Sequence, residues 1–134
     1  MNKLLTPASQ GLVVYAKDKA RVSAFYQRTL QLAVVESEPT HDLLQRAAVE
    51  VVVHAIPAAY AKGIHITQPP QPRADTAFKP TFAVADLNSL RAAVEATGGW
   101  LKAADKAWHF RGGTVLDGHD PEGNVVQFKQ PDAG

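Results

Sequence analysis

Trp108-His109-Phe110-Arg111 is the densest run of chemically capable side chains in this sequence. If it forms a strand, period-two alternation sends the two rings to one face and His109 and Arg111 to the other. An aromatic wall can bind a planar ligand, and an arginine can fork onto an anionic group. As plain sheet core the same rings would carry no function. Asp117, His119, Asp120 and Glu122 follow closely and have the residue types of a metal-ligand cluster. Pro121 and Gly123 instead predict a hairpin connection, with its carboxylates and histidine in solvent. His54, alone in the valine-rich stretch 49–56, is expected to be a packed, hydrogen-bonded core residue, although a one-residue slip in register would turn it to the other sheet face. Arg73 and Asp75 can order the proline-rich segment around them as an ion pair, worth about 0 to 1 kcal/mol when exposed. His109, His119 and Glu122 are general bases by type, a role that requires one of them within hydrogen-bonding reach of a substrate. There is no G-x-S-x-G elbow, no P-loop and no G-x-G-x-x-G, so nucleophile-elbow hydrolysis, nucleotide hydrolysis and dinucleotide redox chemistry are unsupported.

A repeat positions these residues. Leu12-Val-Val-Tyr-Ala-Lys-Asp18 and Pro80-Thr-Phe-Ala-Val-Ala-Asp86 are apolar, β-branched runs ending in aspartates 68 residues apart, and each precedes an amphipathic stretch. The aspartates are helix caps in kind, and the helices are expected to bury Val22, Phe25, Tyr26 and Leu30 in one copy and Leu87, Leu90 and Val94 in the other. Val22 then matches Leu90, and Tyr26 matches Val94. Three short strands follow each helix, at 32–38, 41–48 and 49–56 and at 100–104, 108–117 and 124–130, the second helix closing on Gly98-Gly99. The order is βαβββ twice, in one domain over residues 1–134, with module one at about 11–56 and module two at about 79–130. The connector, about 57–78, carries Pro69, Pro70 and Pro72, and is either a semi-rigid linker or a wall of the site.

Composition narrows the function further. With 46% hydrophobic and 20% charged residues the chain is globular, neither disordered nor membrane-spanning. A formal net charge of +1, with basic residues scattered singly, gives no electrostatic case for nucleic acid. The absence of cysteine excludes disulfides, thiolate catalysis and Cys-ligated metal, and fits a cytoplasmic setting. The opening Met-Asn-Lys-Leu-Leu resembles a signal peptide only until Pro7 interrupts it.

The double βαβββ order, Asp18 with Phe25-Tyr26, Asp86-Leu87, and Asp120-Pro-Glu-Gly-Asn124 before the last strand together resemble the vicinal oxygen chelate superfamily, which includes glyoxalase I, bleomycin-resistance proteins, extradiol dioxygenases and fosfomycin-resistance proteins. The resemblance implies an α+β fold in which the two modules form a half-open, curled mixed sheet with helices outside and the ligand in the concavity. In metal-using members, ligands begin each module's opening strand and lie in each closing strand. Here Gly11 and Lys79 stand at the first pair of positions. Gln127, and Val53 with His54 beside it, stand at the second. Too few converging donors remain for a divalent ion, so no metal ligand and no cofactor is assigned, although the family resemblance leaves a divalent metal open.

Alternation turns Val13, Tyr15, Lys17, Lys79, Thr81, Ala83, Gln127 and Lys129 toward the concavity and sends Leu12, Val14, Ala16, Phe82, Val84, Val126 and Phe128 to the helices. Lys79 can supply there the positive charge that a metal supplies in relatives. The expected ligand-binding set is Tyr15, Arg73, Lys79, Thr81, Trp108, Phe110, Arg111 and Gln127, and the expected ligand is a small, partly aromatic anion. The leading expectation is thus a metal-free small-molecule-binding protein that pairs as a homodimer. Two other readings stay open, a metal-dependent lyase, isomerase or dioxygenase with nonstandard ligands and a dimeric interaction module with a vestigial cavity.

Overall fold

The computed structural model describes residues 8–133, so the Met1–Leu5 stretch compared with a signal peptide lies outside them. β1 (Gln10–Ala16) leads into α1 (Lys19–Leu30), followed by β2 (Ala33–Glu38), β3 (His41–Arg46) and β4 (Val49–Ala55). The connector contains a single helical turn, α2 (Ala58–Ala61). Module two runs β5 (Thr81–Ala83), α3 (Leu87–Ala96), β6 (Trp100–Leu101), β7 (Trp108–His109), β8 (Gly113–His119) and β9 (Val125–Pro131). Its sheet order is β5-β9-β8-β6 with β7 also on β8, and module one gives β1-β4-β3-β2. Each opening strand is parallel to its module's last strand, and the remaining pairs are antiparallel. The architecture is the expected α+β pair of open, mixed sheets. Among the described residues no helix is long and apolar enough to cross a membrane.

Both aspartates cap as their spacing requires. Asp18 accepts from the Arg21 amide at 3.1 Å, and Asp86 accepts from the amides of Asn88 and Ser89 and from the Ser89 hydroxyl. Val22, Phe25, Tyr26 and Leu30 of α1 join Leu90 and Val94 of α3 in one core with Val14, Ala16, Val126 and Phe128. The 3.6-residue and two-residue periods therefore agree on a single buried layer between helices and sheets. At the foot of α1, Asp42 of β3 accepts from Lys19 Nζ at 2.9 Å and from the Ser37 hydroxyl at 2.6 Å. Burial pushes the Asp42 carboxyl up, but the hydrogen bonds from Lys19, Ser37 and Ser23 together with the Lys19 charge outweigh it and leave the group below its usual value.

The strand expected at 108–117 is divided. Arg111 (φ 45°) and Gly112 (φ 81°) turn the chain, so Trp108–His109 and Gly113–His119 become partners in one hairpin. The consequence reaches the predicted solvent turn, which is a correction: the strand runs past Asp117 to His119, and His119, Asp120 and Glu122 are buried. Asp120 accepts from the Tyr26 hydroxyl at 2.8 Å, the Glu122 amide at 2.8 Å, the Asn124 amide at 3.1 Å and Asn124 Nδ2 at 2.8 Å. Glu122 reaches back to module one, where its two oxygens take the amides of Lys17 at 2.9 Å and Asp18 at 2.7 Å. These carboxylates latch the 120–124 turn onto the start of α1. Burial and the neighbouring Asp120 charge raise the Tyr26 phenol well above its usual value, so it stays a donor.

The connector closes over the same latch. The Arg73 amide donates to Gly123 O at 2.8 Å, and a Cβ on Gly123 (φ 87°) would lie 2.0 Å from Gln71 O, so only glycine fits that approach. At the outer edge of module one, the β2–β3 pairing shifts register between Val34 and Glu36.

Candidate functional site

The faces of the two sheets turned away from the helices carry most of the selected side chains. In module two, β5, β9 and β8 lie side by side, with Thr81 paired to Gln127 and Gln127 to Asp117. Thr81 Oγ1 donates to Gln127 Oε1 at 3.1 Å, Gln127 Nε2 to Asp117 Oδ1 at 3.1 Å and Lys79 Nζ to Asp117 Oδ2 at 2.9 Å. A polar strip thus runs across three strands, and Lys79 is already paired with a carboxylate. Sequence reasoning missed Asp117 because, although it ends the strand expected at 108–117, its side chain was grouped with the solvent-facing hairpin cluster. Register counting from Gln127 across the hairpin would have found it.

Beyond the strip, Val115 is buried on the open side, outside the core cluster, and pairs with Trp108 on one flank and Lys129 on the other. Trp108 and Phe110 remain 42% and 51% exposed, which answers the core reading of these rings. Two cations approach the Phe110 ring, the Arg111 guanidinium carbon at 5.6 Å and Lys129 Nζ at 5.5 Å. Lys129 also donates to Arg111 O at 2.7 Å, which ties the turn to β9. His109, on the opposite strand face, is engaged by Asp132 at 2.7 Å.

Module one presents a different row. Tyr15 is paired with His54 and His54 with His41, the ring centroids lying 5.6 and 6.4 Å apart. Glu36 meets His41 Nε2 at 2.5 Å, and His54 Nδ1 bonds Ala55 O at 2.9 Å. His54 therefore belongs to the open face, correcting its assignment to the core, and Val53 is the buried residue. Pairing also corrects the module equivalence. Thr81 faces Gln127 as Val13 faces Val52, so Val52 rather than Val53 is the counterpart of Gln127.

The selected residues fall into three groups. Tyr15 and Arg73 line a cavity of about 280 Å³ with Val13, Thr76, Phe78 and Asn124. The connector is thus a wall there. Arg73 gives Nε to Glu122 O at 3.3 Å, and among the described residues no ion pair joins it to Asp75. Lys79, Thr81 and Gln127 form the polar strip, while Trp108, Phe110 and Arg111 form the aromatic end. A larger cavity, about 740 Å³, lies on the helix side between the modules, lined by none of these residues.

The donors at the superfamily's ligand positions do not fit a divalent ion. Gly11 offers no side chain, Val52 is aliphatic, Gln127 is neutral and engaged, and the Lys79 ammonium repels a cation. Among the described residues no group of three or more His, Asp and Glu side chains could hold a metal.

The family model for a glyoxalase-like domain matches residues 11–128. A glyoxalase/bleomycin resistance protein/dioxygenase family enzyme from Burkholderia phytofirmans PsJN superposes with a TM-score of 0.68 at 19% identity, over 91% of this chain and 97% of that one. A glyoxalase/bleomycin resistance protein from Albidiferax ferrireducens T118 gives 0.64 at 17%, over 92% and 98%. The genomically encoded fosfomycin resistance protein FosX of Listeria monocytogenes, in its tetragonal form, gives 0.62 at 13%, over 97% and 94%. At these identities the likeness is one of fold. No curated protein matches the chain.

Proposed function

Because the chain belongs to the glyoxalase-like domain family of the vicinal oxygen chelate superfamily, we propose that it binds a small organic ligand on the open faces of its two modules, without a metal at the superfamily's usual place. The observation that carries this reading is the side-chain order on module two. A hydrogen-bonded polar strip, Thr81-Gln127-Asp117-Lys79, lies beside the half-exposed rings of Trp108 and Phe110. Polar groups fixed in advance orient a ligand, and exposed aromatics supply the area that binds it. Tyr15, 62% exposed, with Arg73 and Phe78 at the connector wall, supports a second contact zone on module one. The excess of cationic over acidic groups at the aromatic end favours an anionic, partly aromatic molecule. Lack of cysteine supports a cytoplasmic setting, and the exposed apolar residues Val13 and Val34 support a homodimer.

The test is a thermal-shift screen of aromatic carboxylates and their neutral amides, followed by titrations of Lys79→Ala and Arg111→Ala. A carboxylate that binds and loses about 1.5 to 3 kcal/mol with at least one cation removed agrees with the proposal. Hits that bind both variants as well as the parent refute it. Elemental analysis of purified protein should show no stoichiometric Zn, Ni, Fe or Mn. One equivalent of metal, lost on changing Gln127 or His54, would favour the metal-dependent reading.

A further inference from the structure

β1 is an edge strand, paired with β4 alone among the described strands. In a parallel ladder one residue sends both of its main-chain groups to the neighbour and the next sends both away. The phase is set here by Gln10, whose amide donates to Ala48 O at 3.1 Å, and by Ala16, whose carbonyl accepts from the Ile56 amide at 2.9 Å. Gln10, Leu12, Val14 and Ala16 therefore serve β4, while Val13, Tyr15 and Lys17 point away from it. Lys17 agrees with this phase, since Glu122 Oε1 takes its amide from the outer side at 2.9 Å. Among the described residues nothing bonds the outward main-chain groups of Val13 and Tyr15. They border the cavity of about 280 Å³, which four consecutive residues, Leu12 to Tyr15, line. Residues of both strand faces line it, which places it along the edge of β1.

The same cavity holds a cation without a counter-ion. Arg73 lines it, and among the described residues its guanidinium has one hydrogen bond, Nε to Glu122 O, and no ion pair. Because Glu122 also takes the Lys17 amide, Arg73 is held toward the C-terminal end of β1. The acidic groups of the adjoining turn, Asp120 and Glu122, are buried and bonded through both oxygens. Val13, Tyr15 and Phe78 add exposed apolar area. A residue added in parallel to a free edge gives its N–H to one outward carbonyl and its carboxyl end to the outward amide two residues on. We propose that this edge binds an N-acyl amino acid as a one-residue extension of the sheet. Its N–H donates to Val13 O, one carboxylate oxygen accepts from the Tyr15 amide, and the other accepts from the Arg73 guanidinium. The acyl group lies on Val13 and Phe78. The proposal rests on the reading above that the chain binds a small organic anion, and it names the class of that anion.

Hippurate (N-benzoylglycine) is the probe, titrated to about 20 mM into the ¹⁵N-labelled full chain. Its controls are 3-benzoylpropionate, with CH₂ in place of the N–H, and uncharged hippuramide. The Tyr15 amide signal should shift saturably with hippurate, and the Lys17 amide, already held by Glu122, should move much less. Hippurate should bind about fivefold more tightly than 3-benzoylpropionate and about tenfold more tightly than hippuramide. Arg73→Gln should remove the advantage over hippuramide; if that variant does not fold, the two controls on the parent chain decide. A static Tyr15 signal, equal affinity for hippurate and 3-benzoylpropionate, or undiminished hippurate binding in folded Arg73→Gln would each overturn the proposal. Shifts confined to Thr81, Gln127, Trp108 and Phe110 would overturn it and leave the broader anion-binding reading standing, whereas no saturable shift at any residue with either carboxylate would remove both. A Tyr15 signal that follows protein concentration instead of hippurate would also overturn it, by giving the edge to a second copy.

Discussion

Replacing Asp120 with asparagine keeps the shape of the latch and removes its charge. Each Asp120 oxygen has two partners: Oδ1 the amides of Glu122 and Asn124, Oδ2 the Tyr26 hydroxyl and Asn124 Nδ2. An asparagine puts an NH₂ at one of the two oxygen positions. At Oδ1 it would face two backbone donors. At Oδ2 it would face the Asn124 donor, and the Tyr26 hydroxyl would have to rotate into an acceptor. The second arrangement is cheaper, because a hydroxyl can turn and a backbone amide cannot. It still loses one hydrogen bond outright and the charge assistance of the others, at about 1.5 to 3 kcal/mol for bonds to a charged group in a buried site. We therefore expect Asp120→Asn to destabilise the protein by about 2 to 4 kcal/mol. Tyr26→Phe should cost about 1 to 2 kcal/mol, since the carboxylate keeps its other donors. The double variant should cost less than the sum, because the two changes share a bond. Urea unfolding followed by fluorescence measures each value, provided the m-value is unchanged. A loss below about 1 kcal/mol for Asp120→Asn would refute the claim that this carboxylate holds the modules together.

Other outcomes follow from the same contacts. The Tyr26 phenol is raised in the folded state, so its contribution is intact below about pH 10 and lost as pH rises beyond it. Alkaline denaturation should be shallower in Tyr26→Phe. Asp42 is lowered, so its contribution is intact above its unfolded value of 3.8 and lost as pH falls further. Asp42→Asn should lower the melting temperature at pH 7 and flatten the acid limb of a stability profile. Gly123→Ala, with its Cβ 2.0 Å from Gln71 O and φ at 87°, should cost about 1 to 3 kcal/mol and expose the connector to limited proteolysis. Sedimentation at micromolar concentration should give a dimer, and a monomer there would count against the pairing proposed above.

How much of this was legible varied with the range of the interaction. Asp18 and Asp86 could be read as caps because the hydrogen bonds they accept come from amides two and three residues on. Val14, Ala16, Val126 and Phe128 could be read as core because alternation is local to a strand. Asp120 and Glu122 were misread because turn propensity weighs Pro121 and Gly123 and is blind to partners 94 and 105 residues away. His54 was misread because the bare sequence of β4 has no phase. The phase came from β1, whose Tyr15 pairs with it. Of the site, the strip Lys79, Thr81, Gln127 was found without Asp117, and the aromatic end without Lys129 in its cation pair. Both missing residues are fixed by the pairing of β8 with β9, Asp117 with Gln127 and Val115 with Lys129, which a reading of each strand alone does not supply.

The shifted register of β2 bears on how copies of this chain can meet. An outer strand with free backbone groups invites a neighbour to extend the sheet, and a flat one does so most readily. Here the irregularity falls between Val34 and Glu36, and Glu36 and Glu38 place two acidic side chains on the same strand. In the second sheet the edge strand β6 is two residues long and offers a stranger almost nothing to pair with. Growth of either sheet into a fibre is discouraged at these two edges, which weights self-association toward the other surfaces of the chain.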